Sequence, residues 1–151
     1  MAKKNINKKN YFFLITLIII ILDQLTKFMF RKNLDLNESV PIIKNFFHLT
    51  LIHNTGAAFG IFRNQGILLM WLSIIVIGFI FFFYDKITED KHIEFFSALI
   101  LGGAIGNLID RLAFGYVIDF LDFRIWPAFN IADSAITIGA ISLAIFFLFK
   151  K

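Results

Sequence analysis

The sequence predicts an all-α membrane protein, four transmembrane helices in a bundle with a small extracytoplasmic β-cradle. Three observations carry that prediction. Hydrophobic residues make up 58% of the 151-residue chain, phenylalanine alone occurs 21 times, and mean hydropathy is +0.76. A soluble domain of this size could not hide so much apolar surface. Four apolar stretches approach the roughly 20 residues needed to cross the hydrocarbon core. Finally, in three of those stretches the polar residues gather toward one end.

The spans are expected at about 11–30, 67–84, 93–111 and 131–149, with extracytoplasmic segments at about 31–66 and 112–130 and a single domain over 1–151. The second span is the plainest, an uncharged run containing Ile74-Ile75-Val76-Ile77. The first follows a lysine-rich start but lacks a small-x-small cleavage site, continuing Asp23-Gln24-Leu25-Thr26-Lys27, so it reads as a retained anchor. An even number of spans puts both termini on one side. Lys3, Lys4, Lys8, Lys9, Lys86, Lys91, Lys150 and Lys151 then share that side. Arg31, Lys32, Lys44, Arg63 and Arg124 lie opposite, with Arg111 at the border. The positive excess makes the termini cytoplasmic.

Every polar span end then faces the extracytoplasmic leaflet. Asp23, Thr26 and Lys27 end the first span, Asn107, Asp110 and Arg111 end the third, and Asn130 and Asp133 begin the fourth. Random decoration would scatter such residues over both leaflets, so their convergence points to a site. Between spans one and two, Phe46–Asn54 is rich in strand formers and breaks at Asn54-Thr55-Gly56, which predicts a small sheet on the bundle mouth. Glu89–Lys91 reads as a tight charged cytoplasmic turn without chemistry.

Composition excludes several function classes. Cysteine is absent, which removes disulfides, thiolate metal sites and cysteine nucleophiles. The net charge of +4 and pI near 9.4 reflect lysines at span ends, a topological signal that argues against a nucleic-acid partner. There is no His-Glu-x-x-His; His48 and His53 lie five apart in the expected strand, on opposite faces, and read as surface histidines. Ser134 has neither a Gly-x-Ser-x-Gly setting nor a helical lysine partner. No metal or organic cofactor is expected.

Asp119 and Asp133 carry the chemistry in this reading. A carboxylate at the edge of hydrocarbon is costly to keep charged. Two of them, joined by a loop that folds back, can share a proton and activate a water, as in aspartic proteases. Asp119 follows an expected turn at Ala113–Tyr116 and sits in apolar Val117-Ile118-Asp119-Phe120. Asn130 is a good N-cap, which puts Asp133 in the first turn of a helix, where free amides and the helix dipole favour its anion. These unlike settings assign the charge more often to Asp133 and the shared proton to Asp119. Asp122 lies outside the apolar motif and is expected to be solvated.

The surrounding residues have structural readings as well. Asp23 and Lys27, four apart and acid first, suit a helical ion pair closing the first span. The alternative is that one of them holds the Asn54 loop over the site. Gly103, Asn107 and Arg111 form one stripe of the third span, and Gly102 and Gly106 make a small-xxx-small pair beside it for close helix packing. Arg111 offers five donors to a carboxylate or carbonyl, the alternative being to snorkel toward the interface.

The blocks around Asp23–Lys27, Asn54–Gly60, Gly102–Arg111, Val117–Phe120 and Phe129–Asp133, in that order, resemble the lipoprotein signal peptidase (signal peptidase II) family over nearly the whole chain. The resemblance implies a bacterial inner-membrane aspartic peptidase with an extracytoplasmic cradle, acting on prolipoproteins whose lipobox cysteine bears diacylglycerol and cleaving before that cysteine. It implies Asp119 and Asp133 as the catalytic dyad. Asp23, Lys27, Asn54, Asn107, Arg111 and Asn130 become the polar set that orders the site or contacts substrate. In the chemistry read from the residues, Asn54 or Arg111 polarises the carbonyl or fixes the peptide backbone. The stretch between Phe120 and Phe129 is shorter than the family pattern, which bears on the loop flanking the substrate groove. A rival reading is a small proton- or cation-coupled transporter, which predicts carboxylates spread through membrane depth. Membrane lipids and the lipidated substrate are the expected partners, and nothing in the spans demands more than a monomer.

Overall fold

The computed structural model describes residues 6–56 and 65–150. Lys3, Lys4, the Ala57–Gly60 part of the Asn54 block, Arg63 and Lys151 lie outside the described residues.

Helix α1 spans Ile6–Asn33. Its inward face carries Phe12, Thr16, Asp23 and Lys27, all buried, while Leu14, Leu17, Ile18, Ile21, Leu22 and Leu25 point outward. The helical spacing is that of an amphipathic helix with its polarity inverted, polar toward the bundle and apolar toward the surroundings, as a helix in lipid requires. Strands β1 (Ser39–Ile43) and β2 (Phe47–Asn54) form an antiparallel hairpin. Helix α2 (Gly66–Phe82) is followed by a single helical turn, α3 (Tyr84–Ile87). Helix α4 (Lys91–Phe114) leads through strand β3 (Val117–Asp122) to helix α5 (Ile131–Phe149).

Helices α1, α4 and α5 are long and apolar enough to cross a membrane; α2 is apolar but has only 17 residues. The expected second span of 67–84 therefore ends early. The break at Phe83 lets α3 turn Ile87 into the buried cluster of Phe12, Ile80, Ala98 and Leu101. At the other end of α4 the helix outruns the expected turn at Ala113–Tyr116. It continues to Phe114, and Gly115, at φ +78°, closes it in the left-handed conformation that glycine adopts without a steric cost.

The sheet has the order β1-β2-β3, all antiparallel, with a bulge between Leu49 and Ile52 where β2 faces β3. Ile52 is paired with Asp119 and Asn54 with Val117, so the sheet brings Asn54 and Asp119 to the same end. The Asp122 side chain is buried rather than solvated. It accepts hydrogen bonds from Thr50 (2.9 Å) and from the backbone and guanidinium of Arg124 (2.8 and 2.9 Å), since a carboxylate closing a sheet edge finds donors there. The two histidines are half-buried: His48 shares a hydrogen bond with Ser39 (2.9 Å), and His53 stacks on Tyr116 with centroids 3.9 Å apart. The Lys150–Asp90 ion pair (3.1 Å) and the Phe12–Tyr84 ring contact gather the start of α1, the α3 turn and the end of α5 at one end of the bundle. The sheet lies at the other.

Helix α4 is the central element, and two glycine stripes let its neighbours close on it. A Cβ at Gly102 would come within 2.7 Å of Ile19 Cβ, and one at Gly106 within 2.6 Å of the Asp23 carboxylate, so this stripe faces α1. Gly103 is pressed against the Ala132 carbonyl and Ile136, and Gly139 of α5 against Ile100 and the Phe96 carbonyl, so the second stripe faces α5. Close approach of this kind is the usual basis of helix association in a membrane. Gly139→Ala, which drives a methyl group to 2.7 Å from the Phe96 carbonyl, is expected to destabilise the fold by about 1–3 kcal/mol, as overpacking does. Gly78→Ala, with nothing within 4 Å, is expected to leave stability unchanged or slightly raised. Thermal unfolding in detergent compares the two.

Candidate active site

The polar span ends converge at the sheet end of the bundle. Lys27 is their centre. Its ammonium lies 2.8 Å from Asp23, 2.9 Å from Asp110 and 3.0 Å from Asn107 Oδ1, so each of its three protons has an acceptor. All four of these side chains are buried, Asp23 and Asp110 with no exposed surface at all. The Asp23–Lys27 pair is thus the ion pair expected on one helix face, extended across to α4. Among the described residues no hydrogen bond joins the pair to Asn54, and most of the loop that follows Asn54 lies outside the described residues.

Each partner of Lys27 reaches on to a segment that carries another aspartate. Asp23 accepts the amide of Ala132 (2.9 Å), beside Asp133. Asp110 accepts the amide of Ile118 (3.0 Å), beside Asp119. Asn107 donates to Asp133 Oδ1 (2.7 Å). Gln24 locks the assembly, donating to Asp110 (3.0 Å), the Gly106 carbonyl (3.1 Å) and Asp23 (3.2 Å).

Asp119 is buried and, among the described residues, takes side-chain hydrogen bonds only from carboxamides, at 2.8 Å from both Asn54 and Asn130. Asn130 also reaches Asn107 Oδ1 (3.1 Å) and the Ile118 carbonyl (3.2 Å). Asn130 caps α5 as its sequence position predicts. Its side chain accepts the Asp133 amide (2.8 Å), and Asp133 returns a longer bond to the Asn130 amide (3.3 Å), a reciprocal capping box. Burial pushes the Asp119 carboxyl up to about 8, and the neighbouring Asp133 charge adds to this against the hydrogen bonds and the Lys27 cation.

Asp133 is half-buried and borders two cavities. One, of about 230 Å³, is lined by Asn54, Val76, Ala104, Asn107, Arg111 and Ile136 among others. The other, of about 480 Å³, lies between Trp126–Phe129 and the first turns of α5. Arg111 faces Asp119 and Asp133 electrostatically, yet its guanidinium makes no hydrogen bond or ion pair with another described residue. Among the described residues, no three His, Asp or Glu side chains are grouped so as to hold a metal ion.

All eight residues singled out in the sequence therefore belong to one connected neighbourhood. Two participants were missing from that set, Asp110 and Gln24. A signal for Asp110 existed: it extends the Gly102–Gly106 stripe by one more step of four, the stripe that faces α1 and Lys27.

The signal peptidase II family model, described as "Signal peptidase (SPase) II", matches residues 15–149. The chain belongs to the signal peptidase II family. Among its relatives, the lipoprotein signal peptidase of Moorella thermoacetica is 50% identical over 133 residues, covering 87% of this chain and 89% of the relative. That of Halothermothrix orenii is 46% identical over 139 residues, covering 92% and 95%. A solved structure described as a bacterial membrane enzyme, determined by the in meso method at 2.3 Å, superimposes with a TM-score of 0.86 at 33% identity, covering 92% of this chain and 88% of the other. The family match runs from within α1 to the end of α5, and the polar cluster lies inside it.

Because Lys27 is ion-paired to two buried carboxylates at once, removing it strands both. Lys27→Met is expected to destabilise the protein by about 3–5 kcal/mol, the cost typical of breaking a buried ion pair. Lys32→Met, at the exposed end of α1, is expected to change stability by less than about 0.5 kcal/mol. Detergent-solubilised thermal unfolding measures both.

Proposed function

We propose that Asp119 and Asp133 are the water-activating dyad of an aspartic endopeptidase. The activity follows from the family: a membrane peptidase that removes signal peptides from prolipoproteins. The substrate proposed is the diacylglyceryl-modified form, cleaved before the lipobox cysteine. Its acyl chains would lie in the bilayer and its scissile amide at the cluster.

One observation carries the assignment. Four carboxylates meet in this cluster, and two of them, Asp23 and Asp110, are ion-paired to Lys27. Asp119 and Asp133 have no cation within ion-pair distance among the described residues, and Asp133 fronts open cavities. Carboxylates so placed can exchange a proton with a bound water and a peptide carbonyl. In the mechanism proposed, Asp133, oriented by the Asn107 carboxamide (2.7 Å) and the Asn130 amide (3.3 Å), acts as the anion and takes a proton from the water. Asp119 gives its proton to the carbonyl oxygen as the water attacks. Collapse of the tetrahedral species then needs one proton on the leaving amine, which the protonated Asp133 supplies, while one hydroxyl of the gem-diol returns its proton to Asp119 as the carboxylic acid forms. No acyl-enzyme forms, and no cofactor enters the scheme.

The sequence left Asn54 and Arg111 as equal candidates to polarise the carbonyl. Asn54 is already committed, donating to Asp119 and accepting the Gly56 amide (2.9 Å). The Arg111 guanidinium makes no hydrogen bond or ion pair with another described residue and the residue lines the smaller cavity, so the carbonyl contact is assigned to Arg111.

For the chain as a whole we propose a monomer in the bacterial cytoplasmic membrane, a single domain without a nucleic-acid partner. α2 is the fourth span, both termini are cytoplasmic, and the dyad lies near the extracytoplasmic face. At roughly 1.5 Å per residue the 17 residues of α2 reach about 26 Å, the lower limit for a span. The transporter reading is not favoured, since the polar residues collect at one end and the family is a peptidase family.

Purified protein incubated with a lipidated prolipoprotein tests the dyad. Asp119→Asn and Asp133→Asn are each expected to abolish cleavage, and persistent cleavage by both variants would sink the assignment. Arg111→Gln is expected to lower kcat/KM by about 100–1000-fold, the range for an oxyanion donor. The pH profile adds a signed test. Asp119 must be protonated to act as the acid, so activity is expected to fall as pH rises through about 8. Asn54→Ala removes a hydrogen bond that favours the Asp119 anion, so it is expected to move that basic limb to higher pH.

A further inference from the structure

Asp110 is a fully buried carboxylate that the proposed reaction does not use. Each of its oxygens is committed: one accepts Gln24 at 3.0 Å, and the other lies 2.9 Å from Lys27 and 3.0 Å from the Ile118 amide. The last of these contacts is out of proportion to a merely structural ion pair. It crosses from α4 to β3 and seizes the peptide unit immediately before Asp119. Asp23 does the same on the opposite side, seizing the Ala132 amide immediately before Asp133. Both carboxylates are held by one ammonium.

We propose that Asp110 is a positioning residue, one arm of a buried bracket in which Lys27, through Asp110 and Asp23, fixes the separation of Asp119 and Asp133. The proposal rests on the reading of those two aspartates as the dyad. General acid–base transfer through a water tolerates little misplacement, since an error of about 1 Å can cost on the order of 100-fold in rate. Backbone held from both sides at a common cation is a means of preventing that error. The main chain before Asp119 is held at both polar groups of Ile118, its carbonyl by the Asn130 carboxamide (3.2 Å) and its amide by Asp110, and only the Asp110 hold leads back to the cation.

The bracket also sets the local field. The charges around Asp119 are Lys27 with its partners Asp23 and Asp110, together with Arg111 and Asp133; β2 brings His53, cross-strand from Ile118. Neutralising Asp110 leaves one cation against one carboxylate instead of two. With the net negative charge of that triad removed, the Asp119 anion is favoured, and the basic limb of the pH profile moves to lower pH.

The test is steady-state cleavage of a lipidated prolipoprotein by the full-length protein in detergent, across pH 5–9, for wild type, Asp110→Asn, Asp119→Asn and Gly139→Ala. For Asp110→Asn the expected result is a kcat lower by roughly 10–100-fold per folded molecule, KM within about twofold, and the basic limb shifted down. Gly139→Ala, destabilised at the α4–α5 contact without touching the bracket's hydrogen bonds, keeps the wild-type limb. Wild-type kcat and pH limb for folded Asp110→Asn would overturn the proposal, as would a rise in KM alone. Should Asp110→Asn not fold, Gln24→Met decides. It keeps every charge but frees one Asp110 oxygen, and a kcat loss of about 3–10-fold with an unmoved limb is expected, wild-type kcat being the contrary result. Full activity of Asp119→Asn would instead remove the dyad, and the bracket's purpose with it.

Discussion

One ammonium group organises the sheet end of this protein. Lys27 is buried among apolar helices, where an isolated charge is prohibitively expensive, and its three protons go to Asp23, Asp110 and Asn107. None of these acceptors ends with Lys27. Asp23 holds the first turn of α5, Asp110 holds β3, and Asn107 holds the Asp133 carboxylate. The need to satisfy one cation thereby fixes how α1, α4, β3 and α5 meet.

That requirement explains why the glycines lie where they do. Gly106 has no Cβ because the Asp23 carboxylate occupies its place. Gly103 has none because the Ala132 carbonyl presses on α4 there, at the residue whose amide Asp23 accepts. Small residues in membrane helices are often explained by packing alone. Here they bring charged and capping groups within hydrogen-bond distance, so packing and electrostatics impose a single constraint.

The same arrangement divides four aspartates into two kinds. Asp23 and Asp110 are compensated and act as structure. Asp119 and Asp133 meet amides and a helix terminus, groups that orient a carboxylate without neutralising it. Retaining such groups next to cavities costs stability, and that cost is intelligible in the proposed peptidase because chemistry needs a proton that can move. Arg111, with donors uncommitted among the described residues, completes the same picture from α4.

The amino-acid sequence by itself determined the membrane class and the presence and approximate place of three long apolar helices and a small sheet, and it put forward the residues of the proposed site. Those follow from local rules: apolar length, helical spacing of Asp23 with Lys27 and of Gly103 with Asn107, and the N-cap character of Asn130. Tertiary structure alone decided what each residue touches. Lys27 reaches 80 residues along the chain to Asn107, and Asp23 reaches 109 residues to Ala132, separations that no local pattern encodes. It also buried Asp122, ended α2 at Phe82 in favour of a turn that packs Ile87, and brought Asp110 and Gln24 into the cluster. The reason is common to all of them. A buried polar group must find partners wherever the fold supplies them, so its role is settled by three-dimensional neighbours rather than by its position in the chain.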